Sequence, residues 1–245
     1  MIERTIDIAT PDGATTTFIV HPDRGGPHPV ILFFMDAPAI REELRDMARR
    51  MASGGYYVML PNLYYRQGVL ELADLPALPQ PEARERMFAL VASLTIPEIM
   101  EDADALLAFA DRDPAASPGK IATVGYCMSG QFAINFAARR PERVGAAASV
   151  YGVRLVTDQP DSPHLMAPIA QAEIYVACAE QDEYAPMEMV EALAAAFKAG
   201  RVHGEVEIYP GVHHGFAFPQ RAAYDKPAAE QHWSRLFELW RRNLA

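Results

Sequence analysis

A cysteine lies at the centre of the segment Gly125-Tyr126-Cys127-Met128-Ser129-Gly130, where its neighbours could make it a nucleophile. An apolar run at 121–124 precedes this segment, and an amphipathic stretch beginning at Gln131 follows it. The pattern predicts a strand, a tight turn and a helix, with the nucleophile raised out of the strand end on a strained backbone. The small residues beside Cys127 leave room for a close crossing of strand and helix. The alternative is a buried structural cysteine in a core strand.

The usual form of such a turn is Gly-x-Ser-x-Gly, and this segment departs from it at two positions. Cys127 replaces the serine, and Ser129 occupies the last small position, with Gly130 beside it. Both changes keep the side chains small, so we expect the turn to form and to present a thiol in place of a hydroxyl.

An acyl-transfer nucleophile needs a histidine to accept its proton and a carboxylate to orient that histidine. The chain order nucleophile, acid, base is also the order of the α/β-hydrolase fold. A predicted strand at 172–179 ends in the loop Glu180-Gln181-Asp182-Glu183, which places Asp182 where an acid is needed. Glu180 and Glu183 are rival acids, and a solvated turn residue is the structural alternative for Asp182.

The candidate bases are His213 and His214, which follow a strand at 205–209 in the loop Pro210 to Phe216. Active sites of open parallel sheets lie beyond the carboxyl ends of the strands, so loops far apart in sequence can converge there. Paired histidines could also bind a metal ion, but no third ligand stands at a spacing that supports a metal site. The sequence therefore predicts neither a metal nor another cofactor.

These motifs together resemble the dienelactone hydrolase (carboxymethylenebutenolidase) family of the α/β-hydrolase fold over nearly the whole chain. The matching segments are 33–38, 55–66, 125–130, 151–152, 180–182 and 214–216. The resemblance implies Cys127 as the nucleophile and Asp182 as the acid. It selects His214 as the base, because the family histidine precedes Gly-Phe or Ser-Phe.

The resemblance also implies a fourth acid directly after the first core strand, at Asp36, where glutamate is familiar. In the family, this acid interacts with the thiol of the resting enzyme and helps to deprotonate it when substrate binds. Aspartate is one methylene shorter, so its reach to the thiol differs. The backbone amides of Ala37 and Met128 are the implied oxyanion-hole donors, and one such donor contributes about 3 kcal/mol in known cases.

A thiolate leaves a tetrahedral intermediate more readily than an amine does, so sulfur favours ester and lactone substrates over amides. Arg84 resembles a family arginine that binds the substrate carboxylate, and Phe88, four residues on and on the same helix face, stands where a tyrosine is familiar. The family has a second arginine four residues after the base, and this chain has Phe218 at that position. The predicted pocket is therefore more apolar, with Arg221 as a possible replacement charge. The alternative for Arg84 and Arg86 is that both are solvated charges on the helix surface.

The order of elements predicts an α/β fold with a mostly parallel central sheet of about eight strands and helices on both faces. Two opening strands joined at Pro11-Asp12-Gly13 form an antiparallel edge. A single domain, 1–245, is expected at this length. Strands are expected near 3–8, 15–20, 29–35, 56–60, 120–126, 145–151, 173–179 and 204–209. Helices are expected near 40–53, 82–93, 97–112, 130–139, 187–199 and 227–243. Proline-containing stretches at 75–81 and 158–164 are expected to cross the active-site face.

Charge and composition exclude several classes of function. The chain has 22 basic and 32 acidic residues, a net charge of −10, and no basic cluster, so nucleic acid is not an expected partner. No apolar run of about 18 residues and no signal-peptide pattern occurs, so a cytoplasmic protein without a membrane partner is expected. Two cysteines, Cys127 and Cys178, cannot form a disulfide framework, and Cys178 is expected in the core. The sequence leaves the oligomeric state open, with a monomer favoured.

The leading hypothesis is a cysteine-dependent hydrolase that opens lactones or cleaves small carboxylic esters through an acyl-thioenzyme. Its partner is a small ester or lactone. A second hypothesis is a thioesterase or another acyl hydrolase with a different substrate. A third is a catalytically silent protein of the hydrolase fold that binds a small molecule.

Overall fold

Strands and helices alternate along the chain in the computed structural model, which describes residues 1–72 and 80–244. The strands are β1 (Ile2–Thr10), β2 (Gly13–His21), β3 (Val30–Phe34), β4 (Tyr57–Pro61), β5 (Ile121–Tyr126), β6 (Val144–Val150), β7 (Glu173–Gln181) and β8 (Gly204–His213). The helices are α1 (Glu42–Ser53), α2 (Gln80–Ala92), α3 (Ile96–Ala110), α4 (Gly130–Arg139), α5 (Pro163–Met166), α6 (Met187–Gly200) and α7 (Lys226–Asn243). Every predicted strand and helix is present, and the short α5 was not predicted.

The strand order is β1-β2-β4-β3-β5-β6-β7-β8 in an eight-stranded sheet. This confirms the predicted α/β class and a mostly parallel sheet of about eight strands. Two compact units can be distinguished along the chain, Met1–Pro118 and Gly119–Ala245. The expectation of a single domain over 1–245 stays a prediction.

The first unit contains the antiparallel part of the sheet. In the hairpin of β1 and β2, Thr10 pairs with Gly13, so Pro11 and Asp12 form the predicted turn. β2 is antiparallel to β4, and β3 is parallel to β4. Every residue of β3 and β4 is buried, as is typical of strands covered on both faces, which read as continuous apolar runs.

The second unit contains four parallel strands, β5 to β8, joined through helices and loops. Parallel strands end at the same edge, so the loops after β5, β6, β7 and β8 emerge together. The long α7 begins after Asp225, whose side chain accepts a hydrogen bond from the Ala228 amide and caps the helix. This unit therefore presents the loops in which the sequence places the nucleophile, acid and base.

Two further expectations concern segments at the periphery. Most of the proline-containing stretch at 75–81 lies outside the described residues. The stretch at 158–164 forms turns that lead into α5. Among the helices that the structure describes, none combines the length and the apolar character needed to cross a membrane.

Candidate active site

Cys127 stands in the predicted strand-turn-helix element. β5 ends at Tyr126, residues 127–129 form one turn of 3-10 helix, and α4 begins at Gly130. Cys127 has φ +55°, a left-handed conformation that costs a non-glycine residue about 1–3 kcal/mol and that is found where a fold holds a functional group in place. The residue is partly exposed, unlike a core cysteine.

The glycines on each side of Cys127 are required by close contacts. A Cβ atom at Gly125 would lie 2.1 Å from the carbonyl oxygen of Ser129, and one at Gly130 would lie 2.2 Å from Ser149 Oγ. Gly130 also faces Gly152, whose Cα would lie 2.8 Å from that added carbon. The prediction that small residues permit a close crossing of strand and helix is therefore confirmed.

His214 and Asp182 are brought together by the register of β7 and β8. Gln181 pairs with His213 in the parallel ladder, so the residues that follow them leave the sheet next to each other. His214 Nδ1 lies 2.7 Å from Asp182 Oδ2, and the Asp182 side chain has no exposed surface. The Cys127 side chain is near enough to contribute to the raised pKa of His214. The three predicted residues thus lie together within the second unit.

Asp182 is held by its own loop. Its Oδ1 accepts hydrogen bonds from the amides of Tyr184 at 2.9 Å and Ala185 at 3.1 Å, which leaves Oδ2 for His214. The rival acids Glu180 and Glu183 are exposed, and Glu180 accepts a hydrogen bond from the Gly211 amide. The geometry therefore separates Asp182 from both neighbouring glutamates.

The adjacent histidines His213 and His214 also differ in exposure. His213 is the last residue of β8 and is exposed, whereas the His214 side chain is only 14% exposed. Burial lowers the pKa of His214, but the hydrogen bonds to Asp182 and Cys127 and their negative charges outweigh burial and raise it to about 9. The imidazole is therefore protonated at neutral pH when its partners are charged.

Two tyrosines pack against His214, and sequence reasoning did not assign either of them. The Tyr151 ring centroid lies 4.9 Å from that of His214, and the Tyr184 centroid lies 5.0 Å away on an edge-to-face contact. Tyr151 directly follows β6 and Tyr184 lies two residues after the acid. The signals in the sequence are their positions just beyond strand ends and, for Tyr151, the matching family segment 151–152, because no periodicity marks loop residues.

Asp36, the implied fourth acid, follows β3 in the first unit and is buried. Arg41 binds its carboxylate with both terminal nitrogens, Nη1 to Oδ1 at 2.6 Å and Nη2 to Oδ2 at 3.2 Å. Arg41 also binds the buried carboxylate of Glu43 at 2.7 Å. No sequence pattern indicated this arginine, because a contact between loop residues five positions apart has no recurring signature.

The implied oxyanion donors are both buried. Ala37 lies in the loop between β3 and α1, and its carbonyl oxygen accepts a hydrogen bond of 2.9 Å from Tyr64 Oη. Met128 lies in the 3-10 turn after Cys127, and its carbonyl oxygen accepts a hydrogen bond from Gln131 Nε2 at 2.8 Å. Their role as amide donors stays a prediction.

The residues implied in substrate binding have different environments. Arg84 and Phe88 lie on the exposed surface of α2 and share one helix face, with the guanidinium carbon 5.4 Å from the ring centroid. Phe218 is fully buried and packs against Tyr126 and Tyr151. Phe218 therefore belongs to the aromatic packing beneath His214, and substrate contact by these residues stays a prediction.

Arg221 lies close to the base loop. Its guanidinium carbon lies 5.2 Å from the Phe218 ring centroid, and its Cδ would lie 3.2 Å from a Cβ atom added at Gly215, the residue after His214.

Within residues 1–72 and 80–244, no three His, Cys, Asp or Glu side chains are grouped as metal ligands. Cys178 is buried in β7, and burial followed by the charge of Asp182 raises the pKa of its thiol to about 12.

Comparison with known proteins places the chain among hydrolases of one family. The model of the family described as "Dienelactone hydrolase family" matches residues 15–244. A protein of Escherichia coli (strain K12) described as "Putative carboxymethylenebutenolidase" is 29% identical over 222 residues, which cover 89% of this chain and 78% of the relative. A relative of the same description from Azospirillum brasilense is 27% identical and covers 97% and 99% of the two chains.

Solved structures support the α/β-hydrolase fold. A crystal structure described as a "Putative Dienelactone Hydrolase" from Klebsiella pneumoniae has a TM-score of 0.85 at 22% identity and covers 98% of each chain. A structure from metagenomic libraries, described as a dienelactone hydrolase-like promiscuous phosphotriesterase, has a TM-score of 0.80 at 19% identity and covers 100% of this chain and 99% of its own. At these identities the likeness concerns the fold.

Proposed function

Because this chain belongs to the dienelactone hydrolase family, we propose that it is a cysteine-dependent hydrolase of lactones or small carboxylic esters. One observation carries the proposal: Asp182 and His214 are joined by a hydrogen bond of 2.7 Å, and Cys127 is near enough to that imidazole to raise its pKa. A nucleophile, a base and a residue that orients the base are the parts that acyl transfer requires.

The first half-reaction acylates Cys127. The raised pKa of His214 keeps a cation beside the sulfur at neutral pH, and a neighbouring cation stabilises a thiolate. The sulfur attacks the substrate carbonyl carbon, a C–S bond forms, and the carbonyl oxygen takes up the negative charge. The amides of Met128 and Ala37 are the proposed donors to that oxygen. Collapse of the intermediate breaks the C–O bond, and the imidazolium of His214 gives its proton to the leaving oxygen.

The second half-reaction releases the acid. His214, now neutral, accepts a proton from water, and the resulting hydroxide attacks the thioester carbon. The C–S bond breaks, and the sulfur regains its charge beside the imidazolium. Asp182 binds Nδ1 of His214, which leaves Nε2 for the proton transfers at the active site.

The substrate class follows from the leaving group and from the positively charged side chains that could bind a substrate carboxylate. Esters and lactones expel an alkoxide or an enolate, which needs less help from an acid than an amine does. Phe218 stands where the resemblance expects a second carboxylate-binding arginine, and it is buried among aromatic rings. Arg84 and Arg221 remain as candidates for binding a substrate carboxylate. We therefore expect uncharged esters and lactones to be accepted as well as, or better than, a carboxylated dienelactone.

The proposal is tested by steady-state hydrolysis of p-nitrophenyl acetate and of a carboxylated dienelactone. The variants are Cys127→Ala and, as a matched control, Cys178→Ala, which removes the buried thiol that has no proposed role. We expect Cys127→Ala to abolish turnover and Cys178→Ala to retain it. Full activity of Cys127→Ala, or no turnover of either compound by the wild type, contradicts the proposal. A thioester substrate in the same assay distinguishes a thioesterase, which would prefer it to both oxygen esters.

A further inference from the structure

The ring of His214 needs more than its bond to Asp182 to keep one position. The bond joins imidazole Nδ1 to carboxylate Oδ2 at 2.7 Å, and it fixes a single atom of the ring. The rest of the ring can still swing about that atom unless other groups pack against it. A displacement of about 1 Å in a reacting group can cost roughly 100-fold in rate, so the packing around the imidazole bears on catalysis.

One packing contact is made by Tyr151, the first residue after β6. Its ring centroid lies 4.9 Å from that of His214, and the tyrosine is 1% exposed. The phenol ring also makes edge-to-face contacts with Phe216, at 5.3 Å between centroids, and with Tyr126, at 5.8 Å. Because these neighbouring rings hold it, the Tyr151 ring is a rigid support for the imidazole.

The backbone of Tyr151 is held in an unusual conformation. Its φ is +38°, in the left-handed region that residues other than glycine rarely adopt, and its amide donates to the Ala177 carbonyl oxygen at 2.7 Å. Such conformations persist where the surrounding structure enforces them, and they cluster at functional sites. Cys127 is also left-handed, so the neighbouring strands β5 and β6 are each followed by a residue of this kind. The backbone as well as the packing therefore places the Tyr151 ring beside His214.

A second packing contact is made by Tyr184, two residues after the acid. Its ring centroid lies 5.0 Å from that of His214 in an edge-to-face contact. Its amide donates to Asp182 Oδ1 at 2.9 Å, so one residue holds the acid through its backbone and packs against the base through its side chain. Tyr184 is 38% exposed, so its ring can be replaced without disturbing the core.

We propose that Tyr151 and Tyr184 are positioning residues whose rings confine the imidazole of His214. With the ring confined, Nδ1 keeps its bond to the carboxylate while Nε2 gives up and regains a proton. The role belongs to the aromatic rings and not to the phenol oxygens, so phenylalanine should serve in place of tyrosine at position 184. This inference rests on the proposed function, and every contact that it uses lies within the second unit.

Two variants of Tyr184 test the role of the ring. Tyr184→Ala removes the ring and keeps the amide that binds Asp182, whereas Tyr184→Phe removes only the phenol oxygen. With p-nitrophenyl acetate as substrate, we expect kcat to fall at least about 10-fold in Tyr184→Ala and to stay within about 2-fold of the wild type in Tyr184→Phe. KM should change little in either variant, because the ring acts on the base.

Alkylation of Cys127 by iodoacetamide separates this role from a contact with substrate. The imidazolium of His214 stabilises the thiolate, so a displaced imidazole should slow alkylation at neutral pH. We expect Tyr184→Ala to be alkylated at least about 5-fold more slowly than the wild type, and Tyr184→Phe to match the wild type. A ring that contacts only the acyl substrate would leave the alkylation rate unchanged.

The matched control is Tyr224→Ala, which removes a partly exposed ring from the same unit. Tyr224 lies in the loop before α7, and the ring contacts that the structure describes for His214 come from Tyr151 and Tyr184. Hydrolysis and alkylation by this control should match the wild type. Tyr151→Leu tests the buried ring and should lose both rates. If that variant fails to fold, the Tyr184 variants decide alone, because their ring is at the surface.

The outcomes are compared in proteins that circular dichroism shows to be folded. An unchanged kcat in Tyr184→Ala overturns the inference, and so does an equal loss in Tyr184→Phe, which would assign the effect to the phenol oxygen. A loss of kcat with unchanged alkylation also overturns it, because the ring would then act on the substrate. Retained hydrolysis in Cys127→Ala overturns the proposed function instead. Loss of both rates in Tyr184→Ala, with both kept in Tyr184→Phe, supports the inference.

Discussion

Asp182 and His214 lie 2.7 Å apart, between carboxylate Oδ2 and imidazole Nδ1, because the residues before them are register partners in two parallel strands. The sheet itself therefore sets the orientation of the histidine, and the Tyr184 and Ala185 amides fix the other carboxylate oxygen. Because Nδ1 is bound to the carboxylate, Nε2 is the imidazole nitrogen left for proton transfer.

Replacing the acid should remove this orientation without removing the histidine. In Asp182→Asn the side-chain amide can donate to Nδ1, which leaves the imidazole in the wrong tautomer, so we expect kcat for p-nitrophenyl acetate to fall roughly 1,000-fold or more. Glu183→Gln is the matched control, since Glu183 is exposed and adjacent. Equal losses in the two variants would contradict the assignment of Asp182.

The rate should depend on pH through His214. Its pKa of about 9 means that kcat/KM should decline as the pH rises through about 9, because neutral imidazole no longer stabilises the sulfur anion or protonates the leaving group. A carboxylate is one cause of the raised pKa, so the decline should begin at lower pH in any residual activity of Asp182→Asn. A profile whose alkaline side is the same in both proteins would contradict this cause.

The stability of the fold should depend on the ionisation of His214. The folded pKa of His214 is raised above the unfolded value of about 6.5, so the protonated histidine stabilises the fold fully below that pH. The contribution is lost as the pH rises towards about 9. The Tm of the wild type minus the Tm of His214→Gln should therefore be larger at pH 6 than at about pH 9.5. An increase of this difference with pH would contradict the raised pKa.

The contact between α4 and β6 predicts a paired substitution. Gly130→Ala should cost at least about 2 kcal/mol of unfolding free energy, because the added carbon meets Ser149 Oγ at 2.2 Å. Ser149 Oγ is buried and has no hydrogen-bond partner among the described residues, so Ser149→Ala should be nearly neutral. The double variant should recover part of the loss, but not all of it, since Gly152 Cα also lies close. Denaturant unfolding measures all three.

The structure distinguishes the two thiols by burial. Cys178 is buried, with its thiol pKa raised to about 12, whereas Cys127 is partly exposed beside His214. In the native protein iodoacetamide should therefore modify Cys127 alone, and after unfolding it should modify both. Mass spectrometry of digested protein locates the label, and native labelling of Cys178 would contradict the interpretation of that residue as core.

Much of the fold could be predicted from the sequence because strands buried on both faces, such as β3 and β5, read as short apolar runs between turn residues. Cys127 and Asp182 could be predicted because each directly follows such a strand, and His214 because it follows β8, in which residues 205–209 alternate between polar and apolar. Apart from the family resemblance, Asp182 and His214 could be separated from their neighbours only by burial, which a loop sequence does not encode.

The supporting contacts could not be predicted. The bond from Tyr64 to Ala37 joins residues 27 positions apart, and the bidentate pair of Arg41 with Asp36 depends on the conformation of a loop with a left-handed residue at Ala39. Phe218, expected at the substrate, is fully buried and packs against Tyr126 and Tyr151, and its contact with substrate stays a prediction. Such contacts follow from tertiary packing and leave no local pattern.

The central claim is that Cys127 becomes acylated, and the most direct measurement is to trap that intermediate. The wild-type protein is mixed with excess p-nitrophenyl acetate, quenched in acid within the first turnover, digested and analysed by mass spectrometry. We predict one acetyl group, carried by the sulfur of Cys127, and none in Cys127→Ala. Release of p-nitrophenol with no acetyl group on Cys127, or with the acetyl group on another residue such as Ser129, would contradict the claim.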